Sequence, residues 1–500
     1  MQRDQTSCIV NLLFADLTTS HSTQFSEVHT MTKANTNTHA KSRRQFLKAV
    51  AATGVGGTGM SALDQMGLLE RLGAAAGNAL VPSAQAQTAE DYRCLVCIFM
   101  FGGNDANNLL IPTDSGRFAQ YQRARGVLAL PQNSLLGISP ANTGGAPFAL
   151  HPAMTGMQNL FKTGKAAFVT NVGPLAAPVT KAQWDARSVA LPPNLFSHSD
   201  QQSQWQSAIS EGVGRTGWAG RLADLLQSSN ANRSATMISL AGNNLWENGT
   251  TLSSYKVAPS GKLGFDFYKP GTNDPFSISL SEVLTSNRSN LFEQAWVGAI
   301  NRSIENQKSV SAAIEATKFA NNFPGSGIGN QLKMAARLIG ARQALGVKRQ
   351  TLFVSIGGFD THGDDQLTRQ NQLFGEISAA VSAFYEATVT MGVSNNVTLF
   401  SASDFGRNFQ SNGKGSDHGW GSHHFVVGGA VKGGNLYGTF PDLSLGGADD
   451  VGQQGVWIPT TSVEQMAASM ARWFGVAPGD MPTVFSTLNR FATPDLGFMA

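Results

Sequence analysis

The apolar run Leu352 to Ile356 empties through Gly357-Gly358 into a polar loop that delivers Asp360 and His362 two residues apart. Two more runs repeat the pattern: Leu95 to Phe101 opens into Gly102-Gly103-Asn104-Asp105, and Val397 to Phe400 into Ser403-Asp404-Phe405-Gly406-Arg407. A short apolar run that ends in glycine or a polar turn reads as a buried strand. In open α/β sheets the chemistry collects just beyond the carboxyl ends of such strands, where a rigid sheet holds side chains that face a crevice. Three such runs predict an open α/β fold, with parallel strands that put three carboxylates on one rim. A cluster of this kind is costly unless a cation neutralises it.

The chain of 500 residues has room for a large core, and with 41% hydrophobic and 14% charged residues it is globular rather than disordered or fibrous. Seven of the 36 Lys and Arg and five of the 33 Asp and Glu precede Gln87, so the remainder is near neutral and offers no electrostatic case for nucleic acid. The first 86 residues read as an export signal with an upstream extension. Ser42-Arg43-Arg44-Gln45-Phe46-Leu47-Lys48 fits the twin-arginine consensus, and Ser83-Ala84-Gln85-Ala86 fits a small-residue cleavage site. The expected partner in export is the twin-arginine machinery, which carries folded chains, and the expected location is periplasmic or secreted. Nothing after Gln87 has the uninterrupted apolar length of a membrane span. Cys94 and Cys97 share a strand at an odd offset, so they point to opposite faces and read as two buried thiols rather than a redox pair.

Residues 87–500 are expected to form one domain, with strands at Arg93 to Phe101, Lys165 to Asn171, Thr236 to Leu240 and Phe425 to Ala430. His151-Pro152 is expected to open a helix, since proline in a first turn forfeits no hydrogen bond. Ser197-His198-Ser199-Asp200 precedes a helix over Gln201 to Ile209, where free N–H groups favour an anion. That start is a seat for a nucleophile or a substrate oxyanion, or else a simple N-cap. The stretch 241–287 is rich in Gly, Asn, Ser and Pro and reads as an elaborated loop region. Helices are expected over Asn290 to Asn321, Asn330 to Leu345 and Asp365 to Thr390, and Thr461-Ser462-Val463-Glu464 reads as a capping box before a last helix.

Beyond Gln87 the histidines are His151, His198, His362, His418, His423 and His424, all in Gly-, Pro- or Ser-flanked segments. That placement argues for ligands rather than core residues. Asp105, Asp360 and Asp404 with His362, His418 and His423 or His424 make a mixed oxygen and nitrogen set suited to zinc or manganese, one ion or two. Such a site polarises a phosphoryl or sulfuryl oxygen, and Arg407 beside Asp404 is placed to hold an anionic oxygen.

GGND at 102–105, LHPAM at 150–154, FSHSDQQ at 196–202, GWAGRL at 217–222, GGFDTHG at 357–363, SDFGR at 403–407 and DHGWGSHH at 417–424, with the export signal, together resemble the bacterial domain-of-unknown-function family 1501. The resemblance spans nearly the whole chain after the signal. It implies an α/β fold with a doubly wound, mostly parallel sheet flanked by helices, an alkaline phosphatase-like core with a divalent-metal site, distantly related to the phosphatase and sulfatase superfamily. It also implies an early Asp at Asp105, a hydroxyl at Ser197 or Ser199, an Asp/His pair at Asp360 and His362, a further Asp at Asp404, and a late His at His418 or His423. Here Phe405 follows the later Asp where that superfamily usually has His, and no C-x-P-x-R segment of the sulfatase type is present. The function expected is an exported metal-dependent hydrolase of phosphate or sulfate esters, acting on a small or polymeric anionic ester. The alternative is a non-catalytic metal- or polysaccharide-binding protein on the same fold.

Overall fold

A computed structural model describes residues 91–260, 268–317 and 322–500; the segment read as an export signal lies outside the described residues. In chain order the strands are β1 (Arg93–Met100), β2 (Leu110–Pro112), β3 (Leu136–Ile138), β4 (Phe148–Leu150), β5 (Ala166–Gly173), β6 (Met237–Ser239), β7 (Tyr255–Lys256), β8 (Arg349–Ile356), β9 (Val397–Ser403), β10 (Ser422–Gly428), β11 (Leu436–Tyr437) and β12 (Thr461–Ser462). The main sheet runs β11-β5-β10-β9-β1-β8-β6-β7, with β12 also paired to β5, and β2-β4-β3 form a small second sheet. The three apolar runs of the sequence are the adjacent parallel strands β8, β1 and β9. Met100 at the end of β1 pairs with Ile356 on one side and Ser403 on the other, so the three carboxyl ends are flush on one edge. Strand β10 is antiparallel to β9 and β5, which makes the sheet mixed but mostly parallel.

The alternation of β1 separates two cores. Cys94, Val96, Ile98 and Met100 face one side with the helices Thr155–Lys162, Gly327–Gly340 and Gln366–Thr390. Leu95, Cys97 and Phe99 face the other, with Trp205, Trp218 and the helix Val463–Phe474. A strand buried on both faces needs apolar residues throughout, which is why these runs carry no polar alternation. Both cysteines are buried and free, one in each core. Burial raises the Cys97 thiol far above its ordinary range and carries Cys94 beyond that range as well.

Several local expectations shift. The helix after His151-Pro152 begins only at Thr155, because His151 uses its own carbonyl and Nδ1 to turn the chain, accepting from Met154 N at 2.9 Å and Ala153 N at 3.1 Å. The helix that was expected from Gln201 starts at His198. The capping box sits one residue later, with Ser462 accepting from Gln465 N, because Thr461 is paired to Val172 in the sheet. Glu464 instead turns inward to accept from Thr487 Oγ1 at 2.7 Å. Within the stretch read as loop, Asp274 caps a helix over Pro275–Thr285 with proline in its first turn. That helix lies in a compact unit different from the one holding the sheet.

Candidate metal centre

The turn after β1 carries the first requirement. Gly102 has φ +114°, and a Cβ there would lie 2.4 Å from Asp360 N, so only glycine lets this turn press against the loop that follows β8. Phe359 N donates to Phe101 O at 3.2 Å, and the contact sets Asp360 over the end of β1. On the other side, the connection from β9 to β10 folds back on itself as a short ribbon. Arg407 bridges His418, Asn408 N donates to Asp417 O at 2.9 Å, and Gly419 N donates to Gly406 O at 2.7 Å. The ribbon carries His418 and Asp417 back over the rim.

Three imidazoles converge on Asp360. His362 Nε2 lies 2.9 Å and His418 Nε2 3.4 Å from its Oδ1, and His198 Nε2 lies 3.6 Å from its Oδ2. The two facing nitrogens, His362 Nε2 and His418 Nε2, are 3.1 Å apart. Each ring is held through its other nitrogen by an acceptor. His198 Nδ1 meets Asp404 Oδ2 at 2.6 Å, His362 Nδ1 meets Asp417 Oδ1 at 3.1 Å, and His418 Nδ1 meets the Phe196 carbonyl at 2.8 Å. An acceptor at Nδ1 places the proton there and leaves a lone pair on Nε2, the arrangement of metal-ligating histidines. Donors about 2.05 Å from a tetrahedral zinc stand roughly 3.3 Å apart. The separations among Asp360 Oδ1, His362 Nε2 and His418 Nε2 fall about that value, so these three fit a divalent ion. The ligand atoms of His198, Asp360 and His418 all lie within 4.8 Å of one another, a gathering of three that no other His, Cys, Asp or Glu group matches among the described residues, and His362 joins it only through Asp360 and His418.

The electrostatics follow burial and neighbours. Burial pushes the Asp360 carboxyl up, but the Arg407 guanidinium, with His198 and His362, holds it below the ordinary carboxylate value. Asp417 is likewise raised by burial and brought below that value by its bonds with Asn412 and His362. Burial lowers His418, aided by the charge of Arg407 and opposed by its bond to the Phe196 carbonyl, so the neutral ring is favoured. Asp404 has no exposed surface, and burial raises it despite donors from Gln202, His198 and Gly102 N. Asp360 is exposed and His198 and His418 are half-buried, so the donor face opens to solvent.

Of the residues singled out in the sequence, Asp360, His362 and His418 come together directly, and Asp404 stands behind His198. His198, expected at an anion seat, joins the donor set instead. Asp105 is not brought into it: the carboxylate is buried against the Arg125 guanidinium, with Gln366 Nε2 at 2.5 Å and Asn107 Nδ2 at 3.1 Å. His423 is also elsewhere. It lies inside β10, accepts from Asn171 N at 3.1 Å and stacks on Phe440 at 4.8 Å between centroids. His424, its neighbour in β10, packs on Trp205 at 4.6 Å, so two histidines do serve the core. Arg407 is buried and donates to Asp360 Oδ1 at 2.9 Å, to Gly102 O at 3.1 Å and to Ser416 O, which leaves it holding the loops rather than a substrate oxygen. Ser197 Oγ donates to Asp200 Oδ2 at 2.6 Å, and Ser199 Oγ lies 3.3 Å from both Ser197 Oγ and that carboxylate oxygen.

No curated protein matches the sequence. Among solved structures the chain is similar to Ps i-CgsB in complex with k-i-k-neocarrahexaose, at 10% identity over 78% of this chain and 73% of that one, with a TM-score of 0.33. It is also similar to the lipoteichoic acid synthase LtaP from Listeria monocytogenes, at 7% identity over 81% and 77% with a TM-score of 0.32. A third similar structure is a protein in the alkaline phosphatase superfamily from Vibrio parahaemolyticus, at 10% identity over 87% and 75% with a TM-score of 0.31. Residues 92–481, which carry the sheet and the three imidazoles, match the family described as "Protein of unknown function (DUF1501)", and the chain belongs to that family.

Proposed function

We propose that the chain is an exported, metal-dependent hydrolase of phosphate or sulfate esters. The observation that carries this reading is the convergence of three Nδ1-anchored imidazoles on the Asp360 carboxylate at the open rim of a mostly parallel sheet. Asp360, His362, His418 and His198 would hold the divalent ion, zinc or manganese. Bound there, the ion would polarise an ester oxygen and lower the pKa of an attacking hydroxyl or water. The chain's own contribution is orientation: Asp404, Asp417 and the Phe196 carbonyl fix three tautomers. The helix His198–Ser207 begins beside the same donors, and Ser197 makes no side-chain cap, so the N-terminal end of that helix is placed to favour an anionic ester oxygen. Asp200 is the proton acceptor for Ser197, and its bonds from Ser197 and Asn194 hold the carboxyl below the ordinary value. The twin-arginine segment supports export. Among the described residues no helix is long and apolar enough to cross a membrane.

One observation favours the alternative, a non-catalytic metal- or polysaccharide-binding protein on this fold. Both hydroxyls are engaged with Asp200 and with each other, and no recorded bond joins them to the imidazoles. The deciding experiment offers p-nitrophenyl phosphate, bis-p-nitrophenyl phosphate and p-nitrophenyl sulfate to the zinc- or manganese-loaded chain, with and without chelator. Hydrolysis that chelator abolishes and the ion restores is expected. A loaded protein that cleaves none of the three leaves the binding reading in its place.

A further inference from the structure

We propose that this site takes a single divalent ion, and that the buried Arg407 and Arg125 supply the positive charge a second ion would otherwise bring. The inference rests on the reading that the Asp360 cluster holds a cation, and it concerns how many. A rim carrying Asp105, Asp360 and Asp404 has the acidic inventory of a paired site, and its carboxylates lie at the ends of adjacent strands. Each of the three is answered differently.

Asp105 is met by the Arg125 guanidinium, whose side chain has no exposed surface, and the same guanidinium donates to Asn408 O at 3.2 Å and Phe409 O at 3.1 Å. Its two carboxylate oxygens also receive Gln366 Nε2 and the amide groups of Asn107, which fills their lone pairs. Asp360 is met by Arg407, buried to 1% exposure, which donates at 2.9 Å to Oδ1, the same oxygen that faces His362 and His418. The two ion pairs are linked: Gln366, which donates to Asp105, accepts from Ser416 Oγ at 2.9 Å, and the Ser416 carbonyl accepts from Arg407. Asn107 Nδ2 also donates to Arg407 O at 3.0 Å. A guanidinium fixed by this many acceptors cannot swing aside for a cation without stranding them.

Asp404 is the remaining place for a second ion, since its Oδ1 is buried and has no hydrogen-bond partner. Its Oδ2 already receives His198 Nδ1, Gln202 Nε2 and Gly102 N. Among the described residues no further group of His, Cys, Asp and Glu gathers around that oxygen. One free oxygen without companions does not make a coordination shell.

The test is a stoichiometry. The full chain, purified without chelator, is equilibrated with excess zinc, or separately manganese, then desalted and analysed by inductively coupled plasma mass spectrometry against its own sulfur. One ion per chain is expected, falling to none in the Asp360→Ala plus His362→Ala variant once circular dichroism shows that variant folded. Two ions per chain in the wild type overturn the proposal while leaving the hydrolase reading intact, and a second ion missing from Asp404→Asn would place it at Oδ1. A single ion retained by the double variant overturns it as well, by locating the ion elsewhere. No ion in the equilibrated wild type overturns both the proposal and the hydrolase reading. The wild-type count decides the number without relying on any variant.

Discussion

His198 Nδ1 stands 2.6 Å from Asp404 Oδ2, so a half-exposed imidazole on the rim is keyed to a carboxylate with no exposed surface. The bond fixes which nitrogen of His198 faces Asp360. Asp404→Asn keeps the shape but offers an amide whose donor and acceptor can exchange places, which loosens that choice. Losing an outer partner of this kind costs about 10–100-fold in metal affinity. Competition with a chromogenic zinc chelator measures it; unchanged affinity would show that Asp404 does not set the ring.

Phe405 is the aromatic wall of the site, with its ring centroid 4.5 Å from His418 and 4.8 Å from His198. The ring fits because Gly103 has no Cβ, which would otherwise lie 2.3 Å from Phe405 Cε2. Phe405→Leu removes the wall without touching a donor atom. The cobalt-loaded chain reports the outcome: its visible spectrum should differ between wild type and variant, and cobalt affinity should fall on the order of tenfold, the lower end for changes behind the ligands. Identical spectra would assign Phe405 to packing alone.

Gly102→Ala tests the turn that carries Asp360. The new Cβ would strike Asp360 N, and the positive φ is strained for alanine. A backbone forced into such a region costs on the order of 1–3 kcal/mol. Thermal or urea unfolding should show that loss, together with weakened metal binding because Asp360 is displaced. A stable variant with intact binding would mean that the β1 turn and the Asp360 loop move independently.

The buried histidines set an acid limit. Burial lowers both His423 and His424 from 6.5 to about 3. Between those values the unfolded chain takes up protons that the folded chain refuses, so their contribution is complete above 6.5 and is lost as pH falls towards 3. Glu247 works in the opposite sense: burial raises it from 4.5 to about 8, so its contribution is complete below 4.5 and is lost as pH rises through 8. Melting temperature should therefore fall on the acid side in the wild type, and Glu247→Gln should flatten the alkaline side. A melting curve with the same slope in both proteins as pH rises to 8 would contradict the Glu247 assignment.

The rim was readable in advance because its signals are local. Apolar runs closed by Gly357-Gly358 and Gly102-Gly103 mark strand ends, and the strands they mark are β8 and β1, neighbours in the sheet. Donor identity was less readable because it depends on what stands behind each side chain. Asp105 is spelled like a ligand, yet Arg125, with which it pairs, sits a helix away in sequence. His198 needed Asp404, His362 needed Asp417, and His418 needed a carbonyl at Phe196, and no spacing rule connects those pairs. His423 and His424 stand in a Gly- and Ser-flanked segment just ahead of the strand expected from Phe425, but β10 begins at Ser422 and takes both rings into the sheet. The one available cue was the apolar Phe425-Val426-Val427 directly after them, which prolongs a strand more readily than it ends a loop.

The buried guanidinium under Asp360 also bears on the order of assembly. A carboxylate rim that waited for its counter-charge would fold only as the ion arrived, as small zinc domains do. Here the counter-charge is part of the chain, and the sheet, the ribbon and the Asp360 turn close around it. The apo protein should melt in a cooperative transition of its own, and the loaded protein higher by a gap that grows with metal concentration over its dissociation constant. Folding and loading then become separate events: the turn that presents Asp360 is in place before any ion binds, so the donor set exists as a finished surface of the folded chain.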